Sequence, residues 1–124
     1  MKYTVEVEEY GTFWYKEGTD IFHREDGPAC KYPDGSKAWF INGKRHREDG
    51  PAIEKADGYK YWYIDDKRHR EDGPAIEKPN GYKEYWIDGE YLTEEEFNKR
   101  TKKSFTVEEL KKMSIEELHK IVSD

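Results

Sequence analysis

His23-Arg24-Glu25-Asp26-Gly27-Pro28-Ala29, His46-Arg47-Glu48-Asp49-Gly50-Pro51-Ala52 and His69-Arg70-Glu71-Asp72-Gly73-Pro74-Ala75 are one heptapeptide, HREDGPA, written three times. Successive copies start 23 residues apart, both times. A fixed period of this size marks a repeat architecture, in which each unit is one supersecondary element that buries its apolar groups against its neighbours. The remaining sequence reads as the rest of these units and their two ends.

Between copies the grammar is constant. Pro-Ala opens a short strand, and Asp34-Gly35, Asp57-Gly58 or Asn80-Gly81 then predicts a two-residue hairpin turn with positive φ at both central residues. A second strand follows at Ser36–Ile41, Tyr59–Ile64 and Tyr82–Ile87, ending in a turn at Asn42-Gly43, Asp65-Asp66 or Asp88-Gly89. Asp66 stands where the pattern calls for Gly, and Asp tolerates the left-handed region better than most residues. Upstream, Tyr3, Val5 and Val7 alternate with polar residues and predict a first strand. Thr12–Gly18 resembles the second strand of the later units, with Trp14 matching Trp39.

The pattern changes after Glu90. Thr93, Thr106 and Ser114 are each followed three residues later by Glu, the sign of a capping box, and predict three short helices joined in part by Lys99–Lys103. Val107, Leu110, Met113, Ile115, Leu118, Ile121 and Val122 give the last two an apolar stripe, expected to cover the open end of the sheet or to dock onto a second molecule. The predicted fold is α+β, mainly β: a single-layer antiparallel meander of hairpin repeats over residues 1–91, and a helical cap over 92–124 in the same compact domain.

Alternation divides the second strands into two faces. One carries Trp39, Trp62 and Tyr85 with Ile41, Ile64 and Ile87. It is the drier and is expected to form the core. The other carries Phe40, Tyr63 and Trp86, joined by Tyr59, Tyr61 and Tyr82, and is expected to stay open to a partner.

Charged residues make up 40% of the 124 residues and the hydrophobic class only 34%, a balance that would lean toward disorder were aromatics not 15%. The net charge of −6 argues against general nucleic-acid binding, and the basic runs are followed at once by Glu and Asp. Cys30 is the only cysteine, so no intramolecular disulfide forms and a cytoplasmic location is favoured. No signal peptide or run of membrane-spanning length is present, so no membrane insertion is expected.

The string from Asn42-Gly43-Lys44-Arg45-His46 through Asp57-Gly58 to Trp62 resembles the MORN repeat, over roughly Gly11 to Glu90. It departs from the common pattern at Arg-Glu-Asp-Gly-Pro, where MORN repeats place a Gly-x-Gly step. The resemblance implies a single-layer meander used as a scaffold, dimerisation surface or binding platform. The HREDGPA form is also similar to repeats in small proteins of bacteriophages and large viruses. That likeness implies a phage-type accessory protein acting on a host, for example defence, protein in the host cytoplasm.

Chemistry in the repeats is weighed against structure. Equivalent residues of a two-strand repeat lie about 9.6 Å apart. Zinc ligands must come within about 2 Å of the metal, so His23, His46 and His69 are not expected to share one. Nor do identical residues along a ladder supply the unlike, converging groups of a catalytic site. These histidines, with Arg24, Arg47, Arg70 and the Asp26, Asp49 and Asp72 carboxylates, are expected to fix the inter-repeat turns. Cys30 occupies the position of Ile53 and Ile76 and reads as a small core residue; His119 reads as a surface residue. No enzyme, cofactor or metal is expected.

Binding is the function left. The first reading is a protein-binding module that inhibits or redirects a host protein through Phe40, Tyr59, Tyr61, Tyr63, Tyr82 and Trp86, with an acidic surround. The alternative is a nucleotide sponge in which Arg24, Arg47 and Arg70, beside His23, His46 and His69, hold phosphate while an aromatic ring stacks the base. A structural scaffold or homodimer is the third.

Overall fold

The computed structural model describes residues 2–102 and 105–123, without the side chains of Val122 and Ser123. Lys103 of the expected connection, and the Val122 side chain of the expected stripe, lie outside the described residues. The chain forms a nine-stranded antiparallel meander flanked by two small hairpins and followed by three short helices.

Strands β1 (Tyr3–Glu8) and β2 (Gly11–Lys16) make the first hairpin. The next unit supplies β3 (Cys30–Lys31), β4 (Lys37–Ala38), β5 (Phe40–Ile41) and β6 (Lys44–Arg45). The third supplies β7 (Ile53–Glu54), β8 (Lys60–Tyr61), β9 (Tyr63–Ile64) and β10 (Lys67–Arg68). The last supplies β11 (Ile76–Glu77), β12 (Lys83–Ile87) and β13 (Glu90–Leu92). The main sheet runs β1-β2-β3-β4-β7-β8-β11-β12-β13, while β5/β6 and β9/β10 pair as separate hairpins. Helices α1 (Glu94–Thr101), α2 (Val107–Lys111) and α3 (Ile115–Ser123) complete the chain, and both Thr93 and Thr106 close full capping boxes.

Two details differ from the sequence expectation. The strands Ser36–Ile41 and Tyr59–Ile64 each break at their Trp, because there the chain changes neighbours. The Trp39 N–H bonds Ala52 on the main sheet at 2.7 Å, while its C=O accepts from His46 of the side hairpin at 3.1 Å. The first turn of each unit is also not a two-residue turn. Gly35 N–H bonds the Tyr32 carbonyl and Tyr32 N–H bonds Ser36, so the loop has three residues, and only Gly35, at φ 94°, is left-handed. A type I turn followed by an αL glycine gives this geometry, and Pro33 and Pro79 pre-set its first φ. The second turns keep the two-residue form, with Asn42 and Gly43 at φ 51° and 77°. Asp66 takes φ 68° without a glycine's freedom. Its carboxylate accepts from the Arg45 backbone N–H at 3.1 Å and from Arg45 Nε at 2.6 Å, which offsets the strain.

The register lines up Phe13, Cys30, Ala38, Ile53, Tyr61, Ile76 and Glu84 as one row across the sheet. At its start lies the larger core cluster: buried Phe13, Cys30 and Ala38 with Tyr15, Phe22, Phe40 and Ile53 packed against them. This is the face expected to stay open. The Trp face is instead half-buried along most of its length, and only its last unit is closed, where Ile87 and Leu92 are buried with Phe97 of α1 and Tyr85 packs alongside. In the neighbouring row Lys31 opposes Lys37, a like-charge pair, and from Lys37 through Glu54, Lys60 and Glu77 to Lys83 the sign alternates and adds cross-strand attraction.

Candidate functional site

The heptapeptide is a loop stapled over the preceding Trp. In the second unit its two ends bond the same residue, His46 N–H to the Trp39 carbonyl and Trp39 N–H to the Ala52 carbonyl. The first and third units repeat this at Trp14 and Trp62. Ala29, Ala52 and Ala75 are fully buried at these junctions, where a larger side chain has no space.

Arg47 then folds back over its own loop. Nε donates to Asp49 at 3.0 Å, Nη1 donates to the Pro51 carbonyl at 3.1 Å and to Glu54 at 3.0 Å, and the guanidinium lies 3.8 Å from the Trp39 ring centre. Arg70 does the same with Asp72, Pro74, Glu77 and Trp62. Arg24 bonds Asp26 and Pro28 and covers Trp14, but Lys31 stands where the later units have Glu. The Arg24 bond holds the Asp26 carboxyl below the usual range. A Cβ on Gly50 would sit 2.8 Å from Arg47 Cζ, so the guanidinium would have to leave its place over the loop, with near-identical approaches at Gly27 and Gly73.

The histidines tie each unit to the next. Nδ1 of His23, His46 and His69 accepts the backbone N–H of Asn42, Asp65 and Asp88 at 2.9, 3.1 and 3.0 Å. Each Nε2 faces the Glu two residues on, at 3.5 to 3.7 Å. Among the described residues no group of three or more His, Cys, Asp or Glu is arranged to hold a metal ion. Burial pushes the Cys30 thiol up to about 11.

Between the second and third loops lies an open groove of about 570 Å³. Its floor is Trp62 and Ile64, its walls are Arg47 and Arg70, and its rims carry Glu48, Asp49, Glu71 and Asp72, whose side chains are exposed. Sequence reasoning passed over this groove because it took the Trp/Ile stripe for core. The signal that marks it is the loop itself: HREDGPA places a Glu-Asp pair beside Trp14, Trp39 and Trp62.

The opposite face holds the aromatic residues read as a contact surface, and it does not bring them together as one. Tyr63 is buried at 6% exposure and Phe40 packs against the core cluster. Tyr59 and Tyr61 stack on each other, half-buried, while Tyr82 is exposed. Trp86 meets Tyr91 edge-on. Its surround is largely cationic: Arg45 covers Tyr63 and Arg68 covers Trp86, with Lys55 and Lys78 above Tyr61 and Tyr82. Acids stand among them: Asp66 accepts from Arg45, and Glu84 is held below the usual carboxylate range by bonds from the Tyr82 hydroxyl and the Trp86 indole.

Set against protein-family models, curated proteins and solved structures, the chain finds no match. No helix of the described residues is long and apolar enough to cross a membrane.

Proposed function

We propose that this chain is a non-enzymatic protein-binding module, and that its Trp62/Ile64 groove receives a cationic, amphipathic segment of a partner protein. One comparison within the molecule carries the reading. Tyr85 and Ile87 are the last unit's counterparts of Trp62 and Ile64, and there Phe97 of α1 covers them, with ring centres of Tyr85 and Phe97 4.7 Å apart. One unit earlier the cover is the Arg70 guanidinium, 4.0 Å from the Trp62 ring centre, and not an apolar side chain; Trp62 and Ile64 stay half-buried at the floor of the groove, which leaves an apolar side chain from outside a seat beside the arginine. The four exposed carboxylates on its rim supply the charge preference, since a buried apolar anchor with complementary rim charges is how such interfaces gain affinity and selectivity. The nucleotide reading has less to support it, because each repeat arginine is spent on its own Asp, Pro carbonyl and Trp ring.

The test is an NMR titration of the full chain with a synthetic amphipathic peptide of lysine and leucine carrying one Phe. Shifts should centre on Trp62, Ile64 and the Glu48 and Glu71 amides, weaken with salt, and drop several-fold in affinity in Glu48→Gln/Glu71→Gln. Shifts centred on Tyr59 and Tyr82, or affinity untouched by the double substitution, would overturn the reading.

A further inference from the structure

The outer edge of the nine-stranded sheet is β1, six residues long, with Val5 and Val7 47% and 76% exposed. A strand edge of this length with uncovered aliphatic groups is a template for pairing, which proteins ordinarily blunt with bulges, prolines, short strands or charged side chains. Of these β1 has only the charges, Glu6 and Glu8.

The hydrogen bonding of β2 fixes which backbone groups of β1 point outward. Trp14 N–H bonds Ala29, Lys16 N–H bonds Ile21, and Trp14 C=O accepts from His23, all on the side away from β1. Thus Phe13 and Tyr15, paired with Glu6 and Thr4, carry the β1–β2 bonds, and the residues opposite Thr12, Trp14 and Lys16 do not. Those residues are Val7, Val5 and Tyr3, and their N–H and C=O groups face outward.

We infer that two copies of this chain join through β1, antiparallel about a two-fold axis at Val5. In an antiparallel pair only residues with outward groups on both strands exchange bonds, so odd residues must oppose odd ones. Centred on Val5, the register places Val5 against Val5 of the second copy and Tyr3 against Val7, giving about six backbone bonds. On the other face Thr4 meets Glu6, and Lys2 meets Glu8 at both ends, so no two carboxylates are opposed and two opposite-charge pairs form. Moving the centre to Glu6 would set Glu6 against itself and separate Lys2 from Glu8. Moving it to Thr4 keeps Lys2 opposite Glu6 but pairs only Tyr3 with Val5 within β1, about four backbone bonds in place of six. The Val5 register joins the most backbone groups and keeps both opposite-charge pairs, and the occupant that β1 fits is its own copy. This inference does not rest on the groove: the edge and the groove lie on different parts of the sheet.

The experiment is sedimentation velocity on the full chain across a concentration series. A concentration-dependent species at twice the 14.9 kDa chain mass is expected. Val5→Lys and Val7→Lys, both at exposed positions, should shift it to monomer with unchanged circular dichroism. Lys2→Glu should weaken it roughly ten-fold, and adding Glu8→Lys should restore it. Oxidised Val5→Cys should cross-link into a covalent dimer, since directly opposed, bonded residues have Cα atoms about 5.5 Å apart, within disulfide reach. A chain that stays monomeric at several hundred micromolar overturns the inference. So does a dimer that survives Val5→Lys, or one that ignores the charge swap and leaves Val5→Cys unlinked.

Discussion

Replacing Arg47 by Ala removes the one side chain that touches every part of its loop. The loss can be worked contact by contact. A guanidinium stacked 3.8 Å from the Trp39 ring contributes about 1 kcal/mol. The charge-assisted bond to the carbonyl of buried Pro51 adds about 1.5 kcal/mol. The pairs with Asp49 and Glu54 add about 0.5 kcal/mol after discounting, since the Asp49 side chain is 87% exposed. Together these come to about 3 kcal/mol, a large share of the roughly 5–15 kcal/mol that holds a domain of this size together. With roughly 4 °C per kcal/mol, Tm should fall by about 12 °C. Urea denaturation followed by tryptophan fluorescence and circular dichroism reads this, and the emission should shift to the red as Trp39 is uncovered. Arg24→Ala should cost less, because Lys31 replaces the glutamate partner of the later units. Arg47→Lys should rescue little, since an ammonium cannot make the bent pair of Nε and Nη1 bonds. A cost below about 1 kcal/mol for Arg47→Ala, or full rescue by lysine, would refute the view that the arginine holds the loop.

Gly50→Ala should lose about 1–2 kcal/mol, because the new methyl meets Arg47 Cζ at 2.8 Å, and this loss should largely vanish in an Arg47→Ala background; a double-mutant cycle by urea denaturation measures it. Phe97→Ala should cost about 3 kcal/mol and speed amide exchange in β12 and β13, as the cluster of Ile87, Leu92 and Tyr85 opens. Cys30 is 1% exposed, so thiol reagents at pH 8 should label it only after denaturation. Burial raises its pKa from 9.0 to about 11, so the folded state holds the thiol proton longer than the unfolded one. That contribution, about 2–3 kcal/mol, is present in full below pH 9 and is lost as the pH rises to 11; Cys30→Val should flatten that part of the stability profile.

The period and the turns made the architecture legible. HREDGPA at fixed spacing gave the repeat, Thr93 and Thr106 with their glutamates gave helix starts, and Cys30 in register with Ile53 and Ile76 gave a core position. The faces were misread for a physical reason. Alternation tells which residues share a side but not what covers that side, and Trp39 and Trp62 are covered by charged arginines that sequence patterning scores as solvent-facing. The Tyr face is closed at its start by its own small and aromatic residues, Phe13, Cys30 and Ala38, and further on Tyr63 is buried, none of which polarity alone ranks. The groove followed the same error, since its Trp62/Ile64 floor had been assigned to the interior. One signal was available: the period continues past Glu90, and Leu92 stands 23 residues after His69. Thr93-Glu94-Glu95-Glu96-Phe97 therefore replaces a fourth loop with the first turn of α1.

That replacement explains how the two ends of the array come to differ. Every interior unit ends in a loop whose arginine covers its own Trp and whose histidine bonds the next turn, so each unit both needs and supplies a neighbour. At the C-terminal end the missing next unit would leave Tyr85 and Ile87 open, and a hydrophobic cover is the economical answer where no further turn exists for a histidine to bond. Leu92 takes the histidine position and is 2% exposed, and Phe97 closes over it. At the N-terminal end the units cannot be closed by a loop, because the heptapeptide always reaches forward along the chain. The first unit is bounded instead by β1, a strand that satisfies β2 on one side and has no strand on its other side among the described residues. A directional repeat thus carries one end sealed by packing and one end presenting backbone, and the unsealed end is where association by strand pairing costs the fold nothing.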